Sequence, residues 1–216
     1  MKNKSKRYKA ILKSAIKDKK VIIKEAMDLV KKNSTTKFDE SIDVSLKLNI
    51  KQSKGGDFNL RTVVKLPNSN GKKIKLAVLC EQEKVDEAKK NGADLAGSSD
   101  LLDQISNGKL NFEKLVCTPG MMSKIGKLGK ILGPKGLMPN PKLGTVTEKI
   151  GDAVKHAKAG QVELKNDKDG NIGLSIGKKS FSDEKLIKNF NAVISSLEKE
   201  KSNLTIKGDL IKSTYI

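Results

Sequence analysis

The sequence predicts a two-domain protein of mixed α/β and α+β class: a discontinuous α+β domain built from both chain ends, and an α/β domain inserted between them. Both ends alternate apolar and polar residues with the period of half-buried strands, whereas the middle has short unbroken apolar runs separated by helical patterns. A Pro/Asn/Gly stretch, PNSNGKK, marks the change. At 216 residues the chain is long for one small domain and short for three. Neither flank, 1–67 nor 160–216, buries a generous core alone, so the two are expected to combine around the insertion 68–159.

The elements follow in order. MKNKSKRYKAILKSAIKDKK holds a single acid and reads as a solvated basic arm. It is Lys-rich, not Arg- and Ser-rich, and has no apolar signal core, so it fits a mitochondrial transit peptide poorly. SIDVSLKLNI alternates at Ile42, Val44, Leu46, Leu48 and Ile50, and FNLRTVVKL at Phe58, Leu60, Thr62, Val64 and Leu66. These predict half-buried antiparallel strands, with the glycine pair of KQSKGGD as the turn between them. IKLAVLC (Ile74 to Cys80) and KLVCT (Lys114 to Thr118) are continuous apolar runs of strands covered on both faces.

Between those runs lie two helical patterns, EKVDEAKKNG stopped by Gly92 and SSDLLDQISNG stopped by Gly108, in a strand–helix–strand–helix–strand layout with parallel strands. TEKIGDAVKHAKAG (Thr147 to Gly160) is a further capped helix. Alternation returns in QVELK and NIGLSI, joined by NDKDG with Asp169-Gly170 at the tip of a turn. Ser182 caps a helix whose Leu186, Ile187, Phe190, Val193, Ile194 and Leu197 form one stripe. NLTIKGDLIKSTYI supplies a last strand.

Composition narrows the function. Lys and Arg number 44 against 25 Asp and Glu, a net charge of +19. A field of that sign calls for a polyanionic partner. With no long apolar run and no amphipathic basic helix, a membrane surface is the weaker choice and nucleic acid the stronger. Aromatic residues are 3% of the chain, which favours recognition of folded RNA by shape and phosphate contact over stacking along a single strand. No Walker pattern and no Gly-x-Gly-x-x-Gly follows the first apolar run, and Gly136 is followed by Leu137, so neither an NTPase nor a dehydrogenase is indicated. His156 is the single histidine, and one His with two separated Cys builds neither a zinc site nor a thiol–histidine pair. The sequence indicates no enzyme, no cofactor and no metal. Cys80 and Cys117 close apolar runs and read as inert core thiols in a reducing compartment.

The stretch KIGKLGKILGPKGLMPNPKLGT (Lys124 to Thr145) holds three of the five prolines, five lysines, five glycines and no acid. A solvated charge run explains lysines, not their interleaving with Gly126, Gly129, Gly133 and Gly136 and with Pro134, Pro139 and Pro141. Glycines let backbone donors approach a partner, and prolines are expected to hold the loop free of helix or sheet. Ile131, Leu132, Leu137 and Met138 are expected to anchor it to its own domain. Phe38, in TTKFDE where helix gives way to strand, has two readings, a contact to a base or a cap on the core.

GKLGKILGPKGLMPNPKLGTVT (Gly126 to Thr147) closely resembles the signature of the ribosomal protein L-one family, which binds the mobile side stalk of the large ribosomal subunit. KRYK near the start, KFDE at Lys37, LPNSNGK at Leu66, EAKKNGAD at Glu87 and GKKSFSDEKL at Gly177 resemble the family at matching places, nearly end to end and nearest its bacterial or organellar branch. The resemblance implies that the insert is a Rossmann-like three-layer α/β domain that binds no nucleotide, hinged to the discontinuous domain. It implies a monomer within the ribosome that binds stalk rRNA and assists movement and release of deacylated tRNA at the exit site. In bacteria it also implies repression of the protein's own mRNA. The cytoplasm is the implied compartment, with the mitochondrial matrix as the alternative.

Carried over residue by residue, the RNA-binding surface comprises Lys37, Phe38, Asp39 and Glu40, the turn Lys165, Asn166, Asp167 and Lys168, and Lys178, Lys179 and Ser180. The insert contributes Lys127, Lys130, Lys135 and Gly136. Gly120 stands where the family commonly has Asp, and Gly173 where a His is usual. Family members continue past LIKSTYI into a Thr-Met-Gly motif that contacts RNA, so either the RNA site is incomplete or the chain is shortened. RNA affinity below that of a full-length relative, restored on appending the motif, is the expectation. The competing reading, a nonspecific nucleic-acid packaging protein, suits the charge but not the shaped loop.

Overall fold

The computed structural model describes residues 5–14, 20–49, 60–203 and 208–216. In chain order these carry α1 (Lys6–Ser14), α2 (Ile23–Asn33), β1 (Ser41–Leu48), β2 (Arg61–Lys65), β3 (Leu76–Leu79), α3 (Val85–Lys90), β4 (Leu95–Gly97) and α4 (Ser99–Ser106). There follow β5 (Lys114–Cys117), α5 (Pro119–Gly126), α6 (Gly129–Leu132), α7 (Ile150–Lys158), β6 (Gln161–Lys165), β7 (Asn171–Lys178), α8 (Asp183–Asn203) and β8 (Ile211–Tyr215). The chain divides into an outer unit, Met1–Leu60 with Lys165–Ile216, and an inner unit, Arg61–Leu164. The sequence assigns 61–67 and 160–164 to the outer domain. In the structure β2 and β6 pair as a two-stranded ribbon, and these segments fall with the inner unit.

In the outer unit a sheet of order β7-β1-β8 is antiparallel throughout. Ile42, Val44, Leu46 and Leu48 are buried while Ser41, Asp43 and Ser45 are exposed, as the alternation predicts. Ile172, Leu174 and Ile176 of β7, Met27 of α2, and Leu186, Val193 and Leu197 of α8 are also buried. Each such aliphatic side chain contributes about 1.5–3 kcal/mol when fully withdrawn from water. Asn189 of α8 is buried as well, and its Nδ2 donates to the Ile176 carbonyl at 2.7 Å, so its amide is not stranded in the core. Helix α8 comes close at Gly177, where a Cβ would stand 2.7 Å from Leu186 Cδ2 and force that buried side chain to shift.

Two expectations change here. β1 and β2 are not partners: β1 is central and both its edges are filled by β7 and β8, which leaves β2 to pair with β6. The turn proposed between them, KQSKGGD, lies outside the described residues, as do Ile50 and Phe58. The basic arm is partly helical, as α1.

The inner unit is built on a parallel sheet of order β4-β3-β5. Every residue of β3 is buried, because both faces are covered. Ala77, Leu79, Leu115 and Cys117 pack on one face with Leu101 and Ile105 of α4, Met121 and Ile125 of α5, and Leu132 of α6. Leu76, Val78 and Val116 pack on the other with Ala88 of α3 and Ile150, Val154 and Ala157 of α7. The result is three layers. The edge strand β4 is three residues long, too short to register as an apolar run. Arg61 Nε and Glu163 Oε1 bridge the ribbon at 2.5 Å. Lys114, whose pKa burial pushes below its usual value, ties the ribbon to the sheet by donating to the Gln161 carbonyl at 3.3 Å.

Candidate nucleic-acid interface

The β1–β7 ladder determines which candidate residues meet. Ser41 is paired with Lys178, so the segment before β1 and the segment after β7 lie side by side. The two join through a dense set of bonds. Asp39 accepts from the Ser180 amide at 3.0 Å through Oδ1 and from Ser180 Oγ at 2.7 Å through Oδ2. Those bonds, led by the Ser180 hydroxyl and helped by Lys178 and Lys179 nearby, hold the Asp39 pKa below the ordinary 3.8. Lys179 N donates to Glu40 O at 2.9 Å, and Lys179 Nζ to Ser34 O at 2.6 Å. Lys178 Nζ donates to Ser41 Oγ at 2.8 Å and to Asp39 O at 3.5 Å. Glu40 accepts from Ser34 Oγ and, at 3.4 Å, from Arg7 Nη2.

Amid these pinned neighbours Phe38 is 69% exposed. A core cap would be covered, so of its two readings the structure favours the outward contact. Lys37 beside it is exposed. Below them a groove of about 430 Å³ is lined by Val30, Lys31, Ser34, Phe38, Ile42 and Lys179. Lys31 is occupied by Asp183 and by the Phe181 carbonyl, the latter at 2.6 Å.

The turn Lys165 to Lys168 lies elsewhere. β7, eight residues long, separates it from the Phe38 segment by roughly 24 Å at the ordinary rise of a strand. Asn166 is buried. Its Oδ1 accepts from Leu60 N at 2.5 Å and its own amide donates to Leu60 O at 3.2 Å, clasping the two points where the chain leaves the outer unit. Asp167 closes the turn, accepting from Asn171 N at 2.7 Å, Asn171 Nδ2 at 2.8 Å and Asp169 N at 3.0 Å, which lowers its pKa. Lys165 and Lys168 remain exposed.

A surface not apparent from sequence lies between these two places. The solvent side of the sheet presents Ser41, Asp43 and Ser45 of β1 beside Ser175 and Gly173 of β7, with Tyr215 of β8 opposite Ser45 and 66% exposed. Small polar residues dominate this face, with Ser41 beside Lys178 and Asp43 beside Ser175. The alternation marked its first three members only as a wet face.

In the inner unit the Lys124 to Thr145 stretch is not a plain loop. No proline falls between Pro119 and Pro134, so α5 and the short α6 form, with Leu132 N bonded to Leu128 O at 3.0 Å, and Pro134 follows the last turn. Leu132 is fully buried, Leu137 and Met138 pack against the same core, and Ile131 is half-buried. Asn140 and Thr145 bond reciprocally at 2.7 and 3.0 Å. Lys127, Lys130, Lys135 and Gly136 are all exposed, and Gly136 takes φ 68°, a left-handed turn that glycine adopts readily.

At the carboxyl ends of β3 and β5, where sheets of this order hold nucleotides, the Glu81 carboxylate stands 2.7 Å from the position of a Cβ on Gly120. An anion there repels a phosphate. Cys80 and Cys117 are buried, and burial pushes the Cys117 thiol to about 11. His156 is exposed, 3.3 Å from Lys65 Nζ. Among the described residues no His/Cys/Asp/Glu cluster could hold a metal, and no helix is long and apolar enough to cross a membrane.

The family model described as ribosomal protein L1p/L10e matches residues 30–216. Large ribosomal subunit protein uL1 of Pelagibacter ubique (strain HTCC1062) is 64% identical over 195 residues, 90% of this chain and 85% of that protein. Its namesake in Prochlorococcus marinus (strain NATL1A) is 46% identical over 216 residues, 100% of this chain and 91% of that protein. The namesake in Kosmotoga olearia is 47% identical over 201 residues, 93% of this chain and 87% of that protein.

Proposed function

The chain belongs to the ribosomal protein L1p/L10e family, and on that footing we propose that it binds the stalk rRNA of the large subunit through the Phe38 face of its outer unit. It is a non-enzymatic constituent of the large ribosomal subunit, and its relatives are bacterial, which supports a place on cytoplasmic ribosomes. The observation that carries the finer reading is Phe38 itself, exposed on a segment fixed by the Asp39–Ser180 and Glu40–Ser34 bonds. A rigid, outward aromatic beside Lys37, Lys178 and Lys179 offers one stacking platform with phosphate-binding charge around it.

Within the candidate set the roles divide. Phe38, Lys37, Lys165, Lys168 and the lysines at 178 and 179 contact RNA, while Asp39, Glu40, Asn166, Asp167 and Ser180 hold those contacts in place. Lys127, Lys130, Lys135 and Gly136 form the inner unit's own RNA-facing surface. Assistance to deacylated tRNA at the exit site and repression of the protein's own mRNA, through an RNA element resembling the stalk, complete the proposed role.

The test is binding at near-physiological salt to a stalk rRNA fragment and to a duplex of matched length and composition. A preference of roughly a thousandfold or more is expected of a specific site. Equal binding to both overturns the stalk reading and leaves the packaging role that net charge alone supports.

A further inference from the structure

Helix α1 lies outside the 30–216 span of the family match, and its sequence, KRYKAILKS, contains no acid. Lys6 and Arg7 occupy its first turn, where the helix dipole is already positive, an arrangement that disfavours the helix unless an anion is near. At nine residues it is also too short to be stable by itself. It is nonetheless formed and capped. Ser5 Oγ accepts from Tyr8 N at 3.2 Å, and the Ser5 carbonyl accepts from Lys9 N at 3.0 Å.

Its position follows from Arg7. The Arg7 Nε donates to Thr35 Oγ1 at 2.8 Å and its Nη2 to Glu40 Oε1 at 3.4 Å, so one guanidinium grips the segment on both sides of Phe38. Glu40 neutralises that guanidinium. Lys6 and Lys9, flanking Arg7 on the same short helix, are exposed.

We propose that α1 is a phosphate-contacting arm of the Phe38 interface, in which Lys6 and Lys9 engage the RNA backbone and Arg7 sets where the arm lies. The proposal rests on the reading of the Phe38 face as an RNA site. The ligand class is the sugar-phosphate backbone of the RNA that meets Phe38. Contact with it also supplies the anion that the first turn of α1 lacks.

The experiment compares the full chain with the double variant Lys6→Gln, Lys9→Gln, measuring affinity for the stalk rRNA fragment from ~50 to ~200 mM salt. Loss of two phosphate contacts lowers the slope of log affinity on log salt by about 1.4 to 1.8. A control of equal charge change, Lys89→Gln, Lys90→Gln on α3, keeps the parent slope. An unchanged slope in the α1 variant overturns the proposal, and so does an equal fall in the control, which would mean a general field and no local contact. If the parent chain itself shows no preference for the stalk fragment over the matched duplex, the RNA-site reading falls and α1 with it. If the preference stands and the slopes do not separate, only the α1 arm falls.

Discussion

Phe38→Ala separates a contact residue from a core residue by comparing two losses. The ring is 69% exposed, so about a third of it is covered by protein. Full burial of a phenylalanine stabilises by about 1.5–3 kcal/mol, and a third of that is about 0.5–1 kcal/mol. Stacking of one base on an aromatic side chain contributes about 1–3 kcal/mol to binding, or about 5- to 150-fold in affinity. The variant is therefore expected to unfold in urea at nearly the parent midpoint while binding the stalk fragment at least fivefold more weakly. Phe38→Leu, which keeps apolar area without a ring face, should bind as weakly as the alanine variant. The reasoning is refuted if Phe38→Ala destabilises the chain by about 2 kcal/mol or more and leaves RNA affinity untouched, since that is how a core cap behaves.

Other outcomes follow from the same geometry. Asp39 has a native pKa below the ordinary 3.8, so its contribution to stability is fully present above that value and is lost as pH falls through the lowered native one. Asp39→Asn or Ser180→Ala should flatten the decline of the urea midpoint as pH falls below 3.8; a decline as steep as the parent's would show that the bond contributes nothing. Leu46→Ala, at a fully buried position in the central strand, should cost about 2–5 kcal/mol by equilibrium denaturation. Ser45→Ala on the exposed side of the same strand should stay within about 0.5 kcal/mol; similar costs at both sites would contradict the assigned faces. Gly120→Asp should cost no more than about 1 kcal/mol by setting a second carboxylate near Glu81, whose half-exposed side chain can swing aside, with Glu81→Gln in the same chain recovering most of it. Additive effects in that double-mutant cycle would mean the two positions do not meet.

Local period was readable and distant pairing was not. SIDVSLKL gives the buried and exposed residues of β1 one by one, because burial on one sheet face imposes period two on the residues themselves. KLAVL likewise shows that both faces of β3 are covered. Nothing in either stretch names a partner strand. β1 takes β7 and β8 from the far end of the chain, so the neighbouring β2 goes to the ribbon. The site divides similarly. KFDE and GKKS are visible as charged segments, yet their union through Asp39 and Ser180 spans 141 positions of sequence. The Arg7 grip on Glu40 spans 33. The turn at Lys165 to Lys168 reads as equivalent charge, but two of its four side chains, Asn166 and Asp167, are engaged within the fold. The helical turn of α6 was obscured by the prolines around it, although none lies inside it.

The acids around the interface explain how so basic a surface keeps one shape. Lys178, Lys179, Lys31 and Arg7 repel one another along the start of β1 and the end of β7, and a flexible segment would relieve that repulsion by spreading. Asp39, Glu40 and Asp183 oppose it from within: each carboxylate bonds a neighbouring group, Ser180, Ser34 with Arg7, and Lys31 respectively. The lowered pKa values of Asp39 and Asp183 keep those two carboxylates charged at neutral pH, where the lysines are charged too. An acid that faced the RNA would weaken phosphate contact. One bonded to the protein's own groups fixes the spacing of the lysines and leaves the outward field positive. Asp39 and Glu40 therefore belong to the interface as supports for Phe38, and neutralising either should widen the range of RNAs bound as the segment loosens, while the net charge, raised by one, does not weaken binding to an arbitrary duplex.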